Sequence, residues 1–198
     1  ASIVAMVAGT AVGLVAGFYG GIVDQSLARL TDFFLVIPWL PFVLLLVLIL
    51  KPTLLTIMIA IAIVSWPTTA RVIRSQVLTL KERQFIERSR AVGARNGFIV
   101  RKHILPNVMP LVWAEAVLTI SNSVFTEAFL SFFGLGAVGV YKSWGTMVNE
   151  SYLKLALNAG RWWYFGPPGL FITLVVLGFA MLGYGLEDIL NPALRRRG

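Results

Sequence analysis

The stretch "ERSRAVGARNGFIVRKHILP", Glu87 to Pro106, decides how the rest of the chain is read. It carries six charged side chains in the sixteen residues from Glu87 to Lys102, inside a chain that is 58% hydrophobic with a mean hydropathy of +0.81. Six charges in hydrocarbon would cost on the order of 15 kcal/mol even on a lenient insertion scale, so this stretch lies outside any membrane core. Gly93 and Gly97 punctuate it and Ile-Leu-Pro closes it. Everything on either side is far more apolar. A helix crosses ~30 Å of hydrocarbon only with roughly 18 or more apolar residues and its backbone bonded internally.

About five runs meet that test: Ile3 to Val23, Phe33 to Leu50, Leu54 to Ala70, Val108 to Phe129 and Phe165 to Leu186. The expected fold is all-α, a polytopic membrane helix bundle of about five transmembrane helices filling residues 1–198 as one domain. A cytoplasmic loop is expected at about 71–107 and an outer segment at about 130–164. Lys51-Pro52-Thr53 leaves room only for a tight hairpin, so the second and third spans are antiparallel neighbours. No basic segment precedes the first run and no small-residue cleavage pattern follows it, so it reads as a span and not as a signal peptide. A further N-terminal portion is expected to precede residue 1.

Net charge is +8. With the basic stretch from Arg71 to Lys102 inside, alternation of five spans also places Arg29 and Arg195, Arg196 and Arg197 inside. Thirteen Lys and Arg then lie inside against Lys51, Lys142, Lys154 and Arg161 outside, which satisfies the positive-inside rule and puts the C-terminus in the cytoplasm. Only Phe85 and Phe98 interleave the basic loop, too few stacking groups for nucleic acid; anionic lipid headgroups suit Arg71 and Arg74 better. Without cysteine there is no disulfide, thiolate metal site or cysteine nucleophile.

Gly9, Gly13, Gly17 and Gly21 recur every fourth residue, a register that opens a groove for another helix backbone. Pro38 and Pro41 each remove an intrahelical hydrogen bond, so the second span is expected to bend near its start. In the fourth span Glu115, Thr119, Asn122 and Thr126 follow an i, i+4, i+7, i+11 spacing on one helical stripe, with Ser123 and Glu127 close beside it. Such groups facing lipid cost on the order of 2 to 3 kcal/mol each, so the stripe faces protein or water. It reads either as a hydrophilic translocation path or as polar contact between helices.

Within the loop, Phe85, Ile86, Ala91 and Val92 form the apolar face of a short helix that Gly93 ends with a left-handed cap. A second helical stretch, Phe98 to Leu105, is expected to stop at Pro106. Two short amphipathic helices broken by glycine fit either a plug for another protein or a hairpin lying flat on the membrane. His103, the sole histidine, has no cysteine or second histidine to share a metal, so it reads as structural or docking. Trp144, Trp162 and Trp163 in the outer segment read first as an interfacial belt.

The set Glu87, Gly93, Leu105 and Pro106 resembles the EAA loop of ABC transporter permeases that work with a binding protein. "GFYGG", "WPTTARVIRSQVL", "GARNGFIVRKHILPN", "TEAFLSFFGLG", "SWGTMV" and "LGYGLEDILNP" extend the likeness to the dipeptide, oligopeptide and nickel branch along nearly the whole chain. The two alanines that name the motif are Arg88 and Ser89 here, and its Ile position is His103. The resemblance implies a subunit of the cell (inner) membrane, itself no enzyme. Its implied partners are a second, homologous permease, two ATP-binding subunits and an extracytoplasmic substrate-binding protein. The chain itself would bind no cofactor, with ATP and Mg held in the ATPase subunits, consistent with the absence of a Gly-Lys-Ser or Gly-Lys-Thr phosphate loop. Glu87, Arg88, Ser89, Ala91, Gly93, Leu105 and Pro106 would couple to the ATPase. The cargo expected is di- or oligopeptides, with nickel chelates and oligosaccharides as alternatives in the same machinery. An ion-coupled secondary transporter is the remoter alternative, since no internal repeat is visible.

Overall fold

The computed structural model describes residues 1–137, 142–156 and 158–190, and among these there are nine α-helices and no strand. Four helical stretches are long and apolar enough to cross a membrane: α1 (Ser2–Tyr19), α4 (Leu54–Lys81), the run Asn96–Phe132 that contains α7 (Leu105–Phe132), and most of α9 (Gly166–Leu190). The remaining expected span, the second, is broken. α2 (Gly21–Val36) and α3 (Trp39–Leu50) meet at 86° around Ile37 and Pro38.

The break falls at the proline expected to bend this span and divides Phe33 to Leu50 between two helices. Pro38 caps α3 and carries the turn, whereas Pro41 lies in the first helical turn, where its missing N–H would have had no intrahelical partner. Val23 likewise belongs to α2 and not to the first span. α2 carries Asp24, Arg29 and Asp32 and is tied sideways to α4. Arg74 donates to both oxygens of Asp24, at 2.5 Å from Nε and 2.7 Å from Nη2, and Arg71 reaches Asp32.

α1 and α4 run parallel. A Cβ built on Gly9 would lie 2.6 Å from the Trp66 carbonyl oxygen, on Gly13 2.7 Å from that of Ala70, and on Gly17 2.7 Å from the Val77 Cβ. Three glycines thus let two helix backbones touch. Gly21 departs from the expected register. It follows Gly20, whose φ of +70° ends α1, and with φ +56° and nothing near its Cβ position it begins α2 in a left-handed turn.

The helix of the third span does not stop at Ala70. It continues to Lys81 because Ile73 and Val77, four residues apart, keep packing on α1, and the Lys81 ammonium reaches the Gly17 carbonyl at 3.1 Å. Beyond it come α5 (Gln84–Ala91), α6 (Asn96–Ile99) and a π-helical turn, Val100–Ile104. The expected stop at Pro106 is also corrected. The Leu105 N–H bonds to the Val100 carbonyl five residues back, and this widened turn lets the helix pass Pro106, whose ring would clash in a regular ladder. The Asn107 amide donates to the His103 carbonyl at 2.6 Å beside the proline.

α7 and α9 are antiparallel neighbours: the Ser121 hydroxyl donates to the Val176 carbonyl, and Gly183 lies under Leu118. In the outer segment, α8 (Trp144–Leu153) opens with a Ser143–Thr146 capping box, fits Gly145 against Ala128, and takes the Phe132 carbonyl with Asn149. Lys142 hydrogen-bonds Glu150 and holds its carboxylate below the usual range. Trp144 stacks on Phe171 with ring centroids 5.7 Å apart, while Trp162 and Trp163 stay exposed. The basic cluster Arg195, Arg196 and Arg197 lies outside the described residues.

Candidate functional site

A cavity of about 530 Å³ opens among the kink between α2 and α3, the middle of α4, and α7. The bend at Pro38 supplies one wall, from Phe34 to Trp39. Ser65 and Thr68 line it from α4, and Glu115, Thr119, Asn122 and Thr126 line it from α7. The four stripe positions advance at roughly 100° per residue to within about 60° of one another, so one helix face carries them all.

Ser123 and Glu127 do not line it. They sit roughly 80° and 120° round the helix from Glu115 and meet protein instead. Ser123 donates to the Thr119 carbonyl and accepts from Ser2 of α1 at 2.9 Å, while Glu127 accepts from Ser131 at 2.6 Å. The stripe therefore divides into four cavity residues, one residue that contacts α1, Ser123, and one that bonds within α7, Glu127. Ser65 and Thr68 were absent from the sequence-based set. Their signal was present as two hydroxyls three residues apart in an otherwise apolar run.

Glu115 is half-buried and has no hydrogen-bond or ion-pair partner among the described residues. Glu187, on the facing stretch of α9, adds to the negative potential there. None of the described residues lining the cavity is Lys, Arg or His.

The charged loop forms a second feature at one end of the bundle. Ile86 of α5, Ile99 of α6 and Ile104 of the π turn are all 0% exposed and share one cluster with Phe18 of α1, Ile73 and Val77 of α4, and Val108 and Val112 of α7. The loop is thus seated between helix ends. Of the apolar face expected for α5, only Ile86 is buried; Phe85, Ala91 and Val92 are exposed. Ala91 and Val92 lie roughly 140° and 120° round the helix from Ile86, so one buried face cannot hold all three. Val92 is 84% exposed and stands beside Glu87, Arg88 and Gly93, all directed outward.

Gly93, with φ +81°, closes α5 as a Schellman motif: its N–H bonds to the Arg90 carbonyl and that of Ala94 to the Ser89 carbonyl. The Ser89 hydroxyl donates to the Phe85 carbonyl and lies 3.3 Å from His103 Nε2. His103 is held between the rings of Phe85 and Phe98, and Arg90 lies over Phe18. Leu105 is partly buried and Pro106 exposed at the start of α7.

Helices of spanning length, a cavity with a polar stripe among them and a charged loop keyed into one end define a polytopic membrane protein. The profile of the family described as "Binding-protein-dependent transport system inner membrane component" matches residues 9–196, and the chain belongs to that family. It is 37% identical over 196 residues to the dipeptide transport system permease protein DppC of Bacillus subtilis (strain 168), covering 99% of this chain and 61% of that protein. It is 38% identical over 196 residues to the oligopeptide transport system permease protein OppC of the same organism, covering 99% and 63%. The chain spans less than two thirds of the length of these relatives. A chain of the MetNI methionine ABC transporter in an inward-facing conformation shares the fold, with a TM-score of 0.71 and 20% identity over 96% of this chain and 89% of that one.

Proposed function

We propose that this chain is the membrane-spanning part of an ATP-driven importer that carries di- or oligopeptides handed over by an extracytoplasmic binding protein. The peptide cargo is supported by relatives named for dipeptide and oligopeptide transport. A second, homologous permease completes the pathway, two ATP-binding subunits supply hydrolysis with their own ATP and Mg, and the protein sits in the cell (inner) membrane. The loop end, rich in Arg and Lys, faces the cytoplasm together with the C-terminus, as the positive-inside rule requires.

One observation carries the coupling role: Ile86, Ile99 and Ile104 seat the loop in the same cluster as the ends of α4 and α7, two of the helices that wall the cavity. A surface hairpin would turn those isoleucines to lipid. Here they hold the loop against the bundle, so a push on the outward residues Glu87, Arg88, Ala91, Val92 and Gly93 reaches the cavity through packed side chains. Ser89 and Leu105 brace the same lever from within. Nucleotide drives the switch only through its different affinity for the two states of the complex, and a stiff loop conveys that difference. Glu115, Thr119, Asn122 and Thr126 form the path the cargo meets, and Asn122→Leu is expected to impair uptake in an assembled complex.

The deciding experiment purifies the full-length protein from its native membrane in mild detergent and identifies what accompanies it by mass spectrometry. An ATPase subunit and a second permease should co-purify. Recovery of the chain alone would overturn the coupling role.

A further inference from the structure

We infer that Glu115 is a specificity-determining residue that receives the cationic amino terminus of the peptide inside the cavity; this rests on the reading of that cavity as the translocation path. Among the described residues, the cavity wall carries one carboxylate, Glu115, and no Lys, Arg or His, and Ser65, Thr68, Thr119, Asn122 and Thr126 on it are neutral. Glu115 spends its charge on no neighbour among the described residues. A carboxylate in a cleft with apolar walls, here Phe34, Leu35, Val43, Ile61, Val64 and Phe125, focuses a negative potential on whatever enters.

The chemistry of the cargo follows from that potential. An ammonium group gains a charge-assisted hydrogen bond at Glu115 that replaces the water it sheds on entering. A carboxylate brought to the same wall is repelled and meets no Lys, Arg or His among the described residues that line it. A zwitterionic peptide is therefore oriented with its amino end toward α7 of this chain, and its carboxylate end is met elsewhere in the complex. A neutral oligosaccharide would leave the carboxylate uncompensated, which separates the peptide cargo from that alternative. The cavity volume, about 530 Å³, falls within the ordinary range for small-ligand sites.

The test uses the complete importer in proteoliposomes, with saturating loaded binding protein and a dipeptide whose amino terminus is free. Glu115→Gln keeps the shape and the hydrogen-bonding capacity but removes the charge, and uptake should fall about tenfold, the consequence of losing one charge-assisted hydrogen bond. Glu115→Asp should retain most of the uptake, and Glu115→Lys should abolish it. Wild-type uptake by Glu115→Gln, or an equal loss in Glu115→Gln and Glu115→Asp, would overturn the inference, because shape and not charge would then matter. Asn122→Leu, measured alongside, separates the two levels. If it impairs uptake while Glu115→Gln does not, only the amine-binding role fails; if neither variant has any effect, the path reading itself fails.

Discussion

At Gly93 a single backbone angle carries a mechanical demand. Its φ of +81° sets the turn between α5 and α6, and nothing lies within 4 Å of where a Cβ would stand. Any substitution penalty there is therefore conformational and not steric. A residue other than glycine pays about 1–2 kcal/mol for the left-handed region, a β-branched one more, and asparagine less than most. Gly93→Val should accordingly unwind the Schellman cap, loosen the outward face of α5 and leave ATP hydrolysis running with little uptake, whereas Gly93→Asn should transport nearly normally. The ratio of substrate moved to ATP hydrolysed, measured for both in the reconstituted importer, is the check. Normal coupling in Gly93→Val would remove the turn from the mechanism. The sequence already marked this position, because a glycine following a short amphipathic run is the ordinary signature of such a cap. It could not mark Val92, whose apolar side chain was assigned to a buried face and stands 84% exposed.

Among the elements, the parallel pair α1 and α4 shows what glycine spacing can specify and where it stops. Gly13 is the middle contact, and a Cβ there meets the Ala70 carbonyl oxygen at 2.7 Å and the Ile73 Cβ at 2.9 Å, both on a helix that cannot yield as a flexible side chain would. Gly13→Val should force the helices apart and destabilise the protein by about 1–3 kcal/mol or more. Gly21→Ala, in open space, should cost only the left-handed backbone, about 1–2 kcal/mol. Thermal unfolding of the detergent-solubilised complex should show the larger fall for Gly13→Val; equal shifts would mean that the close approach contributes little. The four-residue spacing disclosed the groove but neither the partner helix nor the loss of Gly21 to the next element. Hydropathy located the spans and missed their ends. α4 outlasts its apolar run because Ile73 and Val77 keep to one face, and the helix passes Pro106 through a π turn that no local pattern announces. The break at Pro38 was legible from proline chemistry. Its size was not, because 86° depends on α2 being tied to α4 through Asp24 and Arg74, fifty residues apart.

At the scale of the whole molecule, the loop and the cavity share two helices, the framework on which the proposed coupling rests. α4 contributes Ile73 and Val77 to the loop cluster and Ser65 and Thr68 to the cavity; α7 contributes Val108 and Val112 to the first and Glu115 and Asn122 to the second. The α5 side chain that enters the cluster of this framework is Ile86, at 0% exposure. Truncating it leaves every outward residue of the loop in place and removes the buried contact of α5 through which the proposed coupling would pass. Ile86→Ala should cost about 2–5 kcal/mol where the surroundings cannot close on the space. The rest of the cluster still holds the helix ends, so that loss falls on the docking of α5. The expected phenotype is therefore specific: the ATPase subunits still co-purify and still hydrolyse ATP, but uptake per ATP falls. A variant that loses the ATPase altogether would mean that Ile86 shapes the docking surface itself. One that transports as well as wild type would mean that force reaches the cavity by a route other than the buried isoleucines.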